Sequence, residues 1–377
     1  MTSSITEAGT EGPGHSATRW NGLCKDRGPF VDWRFLASLI ETGCVGSENG
    51  WIPHFVTAGP VSQPRCAAPA WQKNHSHGEF VFDWSWAHAA RTAGVHWYPK
   101  LLVAVPFTPV TGPRLLGAHH HAEAARQVVT QLEAEVEARQ WSSAAVNFCD
   151  TDDAGVLRQA GWLERGGWQY HWHNPGYRDF DDFLSALRHK PRKNIRAERR
   201  RVRADGWRFR WRDGNTLTAA ELDLVDTCYQ STFALYGNLP SLNRAFFASC
   251  ARRFGPDFLA CIAERDQQPL AAAVFWRDRQ RLYGRYWGSL VETRDVHFET
   301  CYYQGIDYCI RHGLHWFEPG AQGEHKIRRG FLPQPTRSFH YIRHAGLRAA
   351  IRRWLNEESA ALDSWRRQLD RLDPYAR

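Results

Sequence analysis

The apolar and polar positions of the chain fall into two successive series of short strands and helices. In the first, helical periodicity covers 33–42, and strand-like segments at 54–57 and 66–72 flank a turn near Gly59. The segment SHGEFVFDWSWAHAARTAG, 76–94, reads as a loop leading into a short helix, with Asp83 open to a helix-capping or a ligand role. KLLVAVPF, 100–107, is apolar without alternation, as expected of a strand buried on both faces. It runs into TPVTGPRLLGAHHH, a loop shaped by two prolines and two glycines, and then into a long helix over 122–140. A strand, a shaped loop and a helix N-terminus in succession suit an anion or a polar ligand. Lys100, Thr108, Thr111 and Arg114 are therefore candidates for substrate binding. The series closes with a strand at 144–148, a helix at 153–160 and a strand at 162–173.

The second series starts after Pro175. Asp179 caps a helix with apolar Phe180, Phe183, Leu184 and Leu187; Pro191 interrupts the pattern, and a basic helix continues to Arg203. WRFRWR, 207–212, alternates as a half-buried strand. Helices over 218–235 and 243–254 precede three strands, 257–263, 270–276 and 281–287, joined by turns short enough for hairpins. A helix over 297–312, a strand at 314–317, a short polar helix over 322–329 ended by Gly330, a strand at 336–342 and a long amphipathic helix over 346–372 complete the chain.

The most concentrated chemistry lies in FEPGAQGEHKIRRGFLPQPTRSFH, 317–340, where glutamates, glutamines, histidine, lysine and arginines surround three glycines between two strands. Polar residues wedged between core strands tend to line a cleft. At α-helical spacing Gln322 and Lys326 share one face, His325 and Arg329 another, and Glu324 with Arg328 an i,i+4 pair. Lys326 and Arg329 are candidates for phosphate or oxyanion charge, and His325 or Glu318 for accepting a proton. Tyr286, Trp287, Gln322 and Glu324 are candidates for orienting substrate; Tyr286 and Trp287, adjacent on one strand, point to opposite faces.

Charge changes this picture in one place. The net charge is +8, and the stretch 188–203, RHKPRKNIRAERRRVR, carries nine Lys or Arg against one Glu, which equals it. A single polyanion-facing element is implied rather than a generally basic protein. Arg192, Lys193, Arg196, Arg199, Arg200 and Arg203 are its candidate RNA contacts. Nine scattered cysteines without a CxxC pair argue against a disulfide framework or zinc knuckle and for a reducing cytoplasm. The adjacent His119, His120 and His121 cannot all face one ion, so no metal site is expected. Residues 1–28, rich in Gly, Ser and Thr, read as a disordered leader with no signal peptide, and no apolar run reaches membrane-spanning length.

The order of the second series, β-α-α-β-β-β-α-β-α-β, matches the acyl-CoA N-acyltransferase (GNAT) fold, and the first series reads as a degraded copy of it. SHGEFVFDWSW, YPKLLVAVPFTPVTGPRLL, RYWGSLVE, FETCYYQGIDYCI and FEPGAQGEHKIRRGF resemble a FemAB-like family of peptidoglycan biosynthesis or recognition proteins, over about 28–347. The resemblance implies an α/β (α+β) chain of two tandem GNAT-like domains, 29–175 and 176–345, with a C-terminal helix over 346–377. One departure bears on the donor. Where a CoA-using GNAT domain carries a Q/RxxGxG/A-like loop for pyrophosphate, this chain has WGSLVETRDVHFET, with Gly288 and acidic Glu292, Asp295 and Glu299. FemAB-like proteins take the acyl group from aminoacyl-tRNA, a donor suited to the basic helix. The resemblance thus implies an aminoacyltransferase without a cofactor, acting on a peptidoglycan precursor or a small natural-product amine or hydroxylamine. An acyl-CoA-dependent N-acetyltransferase and a non-catalytic protein recognising cell-wall peptide or RNA are the alternatives.

Overall fold

The computed structural model describes residues 17–24, 27–60, 63–321 and 323–376. They form two compact units: one runs up to Gly167 and takes in Pro335–Arg366, and the other is Trp168–Gln334 with the chain from Arg367 on. The sequence places these divisions at 175 and 345. The chain changes unit inside strands rather than in linkers, so no drop in hydrophobic patterning marks the crossing.

The first unit holds α1 (Ala17–Leu23), α2 (Trp33–Glu41), β1 (Trp51–Pro53), β2 (Val56–Ala58), β3 (Cys66–Ala68), β4 (Ala70–Lys73), α3 (Trp84–Thr92), β5 (Lys100–Val103), α4 (Ala122–Ala138), β6 (Ser143–Val146), α5 (Thr151–Gln159) and the start of β7 (Leu163–His173). Helix α1 lies inside the stretch expected to be a disordered leader; Trp20 anchors it by burying its ring and donating its indole N–H to the Val31 carbonyl. The remainder of that leader, 1–16 with 25 and 26, lies outside the described residues. β4 pairs antiparallel with β5, and β5 parallel with β6. Leu101, Val103, Ala144 and Val146 from these strands pack on Val128, Leu132 and Val136, one face of α4.

The second unit continues β7 and adds α6 (Phe180–Ala186), α7 (His189–Ala204), β8 (Arg208–Asp213), α8 (Ala219–Leu235), α9 (Arg244–Phe254), β9 (Phe258–Arg265), β10 (Gln268–Arg277) and β11 (Arg281–Ser289). There follow α10 (Val296–Phe298), a π turn (Glu299–Tyr303), α11 (Gln304–His312), β12 (Trp316–Glu318) and a 3-10 turn (Glu324–Arg329). The chain then forms β13 (Leu332–Ile342) and α12 (Ala345–Asp370), which begin and end in the second unit and from Pro335 to Arg366 lie in the first. There β13 pairs antiparallel with β6, and Leu347, Ile351 and Leu355 of α12 pack on Trp86 and Ala90 of α3. In the second unit the strand order is β7-β12-β11-β10-β9-β8, antiparallel except for the β11/β12 pair. Asp179 caps α6 as the sequence predicts, and Pro191 sits in the first turn of α7, where a missing N–H costs little.

Two features set β11 apart from its neighbours. The β10/β11 register slips between Val274 and Phe275, which pair with Tyr286 and Gly284, so Arg285 is a bulge residue. Gly288 lets α8 lie flush on the strand: a Cβ there would stand 1.7 Å from the Cys228 carbonyl oxygen. Thr232 also donates to the Trp287 carbonyl at 2.6 Å. Gly288→Ala is accordingly expected to lift α8 and to cost about 1–3 kcal/mol, read from the midpoint of urea unfolding. An unchanged midpoint would show that the helix shifts freely.

Candidate active site

The parallel strands β11 and β12 part company almost at once. Their pairing runs from Arg281 opposite Trp316 to Tyr283 opposite Glu318 and ends there, while β11 continues to Ser289. The bulge at Arg285 begins where the pairing stops, and Pro319 and Gly320 carry the other arm away. This fork is where the polar motif delivers its side chains.

Lys326 sits at the fork with only 2% of its surface exposed, and its Nζ donates to the Gly320 carbonyl at 2.7 Å. Burial pushes its ammonium down to about 7; the Cys301 sulfur opposes this and Arg285 adds to it. The side chain is thereby held toward its neutral amine. Arg329 is buried one 3-10 turn later, donating to the Tyr303 hydroxyl (2.9 Å), the His325 carbonyl (3.0 Å) and Glu198 Oε1 (2.8 Å), with its guanidinium 3.6 Å from the Phe298 ring centroid. Tyr303 also donates to Glu198. Arg329 thus ties the turn to α7 through the single glutamate of the basic helix, and three of its donors are spent on the protein. Sequence reasoning assigns Arg329 to phosphate or oxyanion charge; in the structure these three donors are already held by the protein.

The turn has three residues per revolution, which corrects the pairing of faces. Lys326 and Arg329 point inward together, whereas Glu324, His325 and Arg328 are exposed. His325 accepts or donates at 3.1 Å with the Tyr302 hydroxyl, and its pKa is lowered by burial, then by Arg329 and Lys326. Gln322 lies outside the described residues.

Glu318 closes the vertex of the fork. It is 4% exposed; Arg281 donates to its Oε1 at 2.9 Å, and its Oε2 accepts no hydrogen bond among the described residues. His171 of β7 stands with Nε2 at 3.7 Å from that oxygen, and burial holds the imidazole below its ordinary pKa. Neither His171 nor Arg285 stands out in the sequence reading. Arg285 had a signal, since Gly284 interrupts the strand pattern as bulges do. His171 had none, because its place depends on β7 pairing with β12. Tyr286 turns toward α8 and α9, with its ring 5.3 Å from Tyr229 and 6.0 Å from Phe247. Trp287 turns to the other face and packs with Val202, Trp207 and Val296. The two do point to opposite faces.

The first-unit candidates are not gathered into an open site. Lys100 Nζ is buried and donates to Ser76 Oγ (2.9 Å), Glu79 Oε2 (2.8 Å) and Asp83 Oδ2 (2.5 Å). Asp83 occupies the N-cap position of α3 but makes no capping bond, spending Oδ2 on Lys100 and the Trp97 indole. Arg114 is buried and donates to the carbonyls of Asn147, Pro113 and Val110, so it fastens its own loop instead of waiting for a ligand. Thr108 is buried, and neither its hydroxyl nor that of Thr111 has a partner. Among the described residues no group of three or more His, Cys, Asp or Glu could hold a metal, and no helix is long and apolar enough to cross a membrane. All nine cysteines are buried, and none forms a disulfide.

Helix α7 divides its charges between two jobs. Arg199 faces inward, paired with Glu299 at 3.0 Å and 4.0 Å above the Phe180 ring, and Arg201 pairs with Asp295 at 2.7 Å. Lys193, Arg196, Arg200 and Arg203 form an exposed stripe at helical spacing, with Arg192 half-buried beside it. Arg196 has a loose contact with Asp181 at 3.8 Å, and Lys193, Arg200 and Arg203 make no ion pair among the described residues. A cavity of about 640 Å³ beside α6 is walled by Arg196, Arg199, Arg200 and Arg203 together with Asp179, Asp181 and Asp307.

The fold has solved counterparts. FemX superposes with a TM-score of 0.56 at 12% identity, over 89% of this chain and 98% of that one. The C-terminal DUF2156 domain of a putative lysylphosphatidylglycerol synthetase from Agrobacterium fabrum gives 0.53 at 11% identity, over 89% and 94%. L-PGS from Bacillus licheniformis gives 0.53 at 7%, over 86% and 91%. At these identities the likeness is one of fold. No curated protein matches the chain in sequence. The architecture is α/β with two tandem GNAT-like units, the fold these structures share. The chain belongs to the FemAB-like family of peptidoglycan biosynthesis/recognition proteins, which it matches over residues 15–377.

Proposed function

We propose that the protein transfers an aminoacyl group from aminoacyl-tRNA to the amine of a peptidoglycan precursor, with no cofactor. The observation that carries this reading is the buried Lys326 amine at the β11/β12 fork. An aminoacyl ester is already activated, so the protein has to align two reactants and handle one proton. The acceptor amine attacks the ester carbonyl carbon and forms the C–N bond. Neutral Lys326 takes the proton that the amine sheds and, now an ammonium, faces the oxyanion. Collapse breaks the C–O bond to the ribose, and Lys326 returns the proton to the departing oxygen. Arg329, Glu198 and Tyr303 keep Lys326 in place throughout.

The donor is argued from charge and space. Lys193, Arg196, Arg200 and Arg203 offer a cationic stripe at phosphate-like spacing on α7. A CoA pyrophosphate would need backbone amides near Gly288, whose side-chain space is filled by the Cys228 carbonyl. Asp295 and Glu299, near the following helix start, are engaged by Arg201 and Arg199.

The test offers purified protein labelled aminoacyl-tRNA or labelled acetyl-CoA, with a UDP-linked precursor peptide as acceptor. Label should move from the tRNA. Transfer from acetyl-CoA would replace this reading with the N-acetyltransferase one, and binding without transfer would make the chain a recognition protein. The log of tRNA affinity should also fall with log salt, by roughly 0.7–0.9 per phosphate neutralised. Replacing Lys193, Arg196, Arg200 and Arg203 by Gln should flatten that slope while melting stays unchanged, since Arg199, which holds Glu299, is left alone.

A further inference from the structure

Glu318 takes no part in the proton transfer, yet its environment is unusual. Its carboxylate is 4% exposed; Oε1 is held by Arg281, and Oε2 accepts no hydrogen bond among the described residues. His171 Nε2, facing that oxygen, is 3.7 Å away and lies 3.5 Å from Gln169 Oε1. A buried carboxylate oxygen without a donor is costly, and an arriving ligand is one way to supply the donor; Glu79 Oε1 and Asp83 Oδ1 are orphaned too, but their carboxylates are held by Lys100 away from the fork. Glu318 is the last paired residue of β12, and Gly320, two residues on, accepts from Lys326. His171 feels the charges of both Glu318 and Lys326, which puts the orphan oxygen and the amine around one imidazole.

We propose that Glu318 Oε2 receives the α-ammonium of the transferred aminoacyl group and so selects an acyl donor that carries a free amine. This inference rests on the aminoacyl-transfer reading and names the chemistry by which that site would tell its donor from an acetyl group. In an aminoacyl ester the ammonium is one carbon from the reacting carbonyl, so a carboxylate at the vertex and an amine on the diverging arm address neighbouring atoms of one small group. An acetyl group has nothing to offer the orphan oxygen and would leave it unsatisfied, which is how a polar site rejects an analogue that lacks the matching donor. The other basic groups of the fork do not stand in the way. Arg281 is spent on Oε1, Arg285 is attracted by the Glu318 charge without hydrogen-bonding Oε2, and burial holds both Lys326 and His171 toward their neutral forms. Glu318 is thus assigned to specificity, and Lys326 keeps the proton.

The test needs no knowledge of the acceptor. Bulk tRNA is charged with a mixture of labelled amino acids; one portion is kept with free amines, one is N-acetylated, and one is deacylated. Affinities are read by filter retention. The wild type should hold the free-amine form about tenfold or more tighter than the N-acetylated form. Glu318→Gln, which keeps the shape and an oxygen for Arg281, should bring the two together mainly by weakening the free-amine form, while Glu318→Asp should retain part of the preference. Equal wild-type affinities for the free-amine and N-acetylated forms would overturn this inference and leave aminoacyl transfer standing. Absence of binding by all three tRNA forms would remove both. Retained discrimination in a folded Glu318→Gln variant would place selection elsewhere.

Discussion

Replacing Lys326 by methionine is expected to remove about 99% of turnover while the protein melts near the wild-type temperature. One charge withdrawn from a desolvated reaction centre typically raises the barrier by about 3 kcal/mol, or about a hundredfold in rate. Methionine keeps the buried stem volume and removes only the amine, whose burial is itself unfavourable. The pH profile gives a second, independent reading. The amine must be neutral to take a proton, so the rate should rise with pH through about 7 and level off above it. Lys326→Arg should be slow and should lack that limb, because a guanidinium stays charged across the range. The lowered pKa also links to stability. Between about 7 and the ordinary lysine value the unfolded chain binds the extra proton, so wild-type stability should gain with pH there, and Lys326→Met should lose that gain. Full activity in Lys326→Met would dismiss the lysine from the chemistry.

Lys326 also shows what the chain makes legible before it folds. Only six of its 48 basic residues are lysines, and one of them lies in the densest polar motif, so it could be singled out. Its partners could not. Glu198, which holds the neighbouring Arg329, lies 131 positions from that arginine on another helix, and an α-helical reading of the motif groups His325 with Arg329, where the 3-10 turn groups Lys326 with Arg329. Element order was readable throughout the second series, since strands with the right period are bounded by short polar turns: DQQ before β10 and DRQ before β11. The π turn in the middle of the 297–312 helix was not, because Glu299–Tyr303 has ordinary helical periodicity. Nor was the return of 335–366 to the first unit, which depends on β13 finding β6. The basic helix was visible as a charge run, yet charge alone cannot separate Arg199, turned inward on Glu299, from Arg200, exposed beside it.

The largest expected effect on stability lies in the first unit, at Lys100. Sequence reasoning made it a candidate for substrate binding, because its strand runs into a shaped loop and a helix N-terminus. Its three donors are instead spent on Ser76, Glu79 and Asp83, residues 24, 21 and 17 positions earlier. These contacts set the face of the loop before α3: Glu79 and Asp83 turn inward, while Phe80, Phe82 and Trp84 are 39%, 44% and 52% exposed. Burial would lower the Lys100 pKa, but Glu79 and Asp83 outweigh it and leave it raised, whereas burial pushes Glu79 up to about 7. Lys100→Met strands two buried carboxylates, and breaking such a pair costs about 3–5 kcal/mol. The sign of its pH dependence follows from Glu79. A carboxyl whose folded pKa is raised contributes fully below its unfolded value, and that contribution is lost as pH rises through about 7. Without Lys100 the carboxyl loses an attraction that held its pKa down, so the deficit of Lys100→Met should be larger at pH 8 than at pH 5. Adding Glu79→Gln and Asp83→Asn should recover part of the loss, because neutral groups can stay buried where unpaired charges cannot. Urea unfolding at the two pH values reads all of this. A Lys100→Met protein within about 1 kcal/mol of wild type at pH 8 would mean that the buried cluster is not what holds the loop.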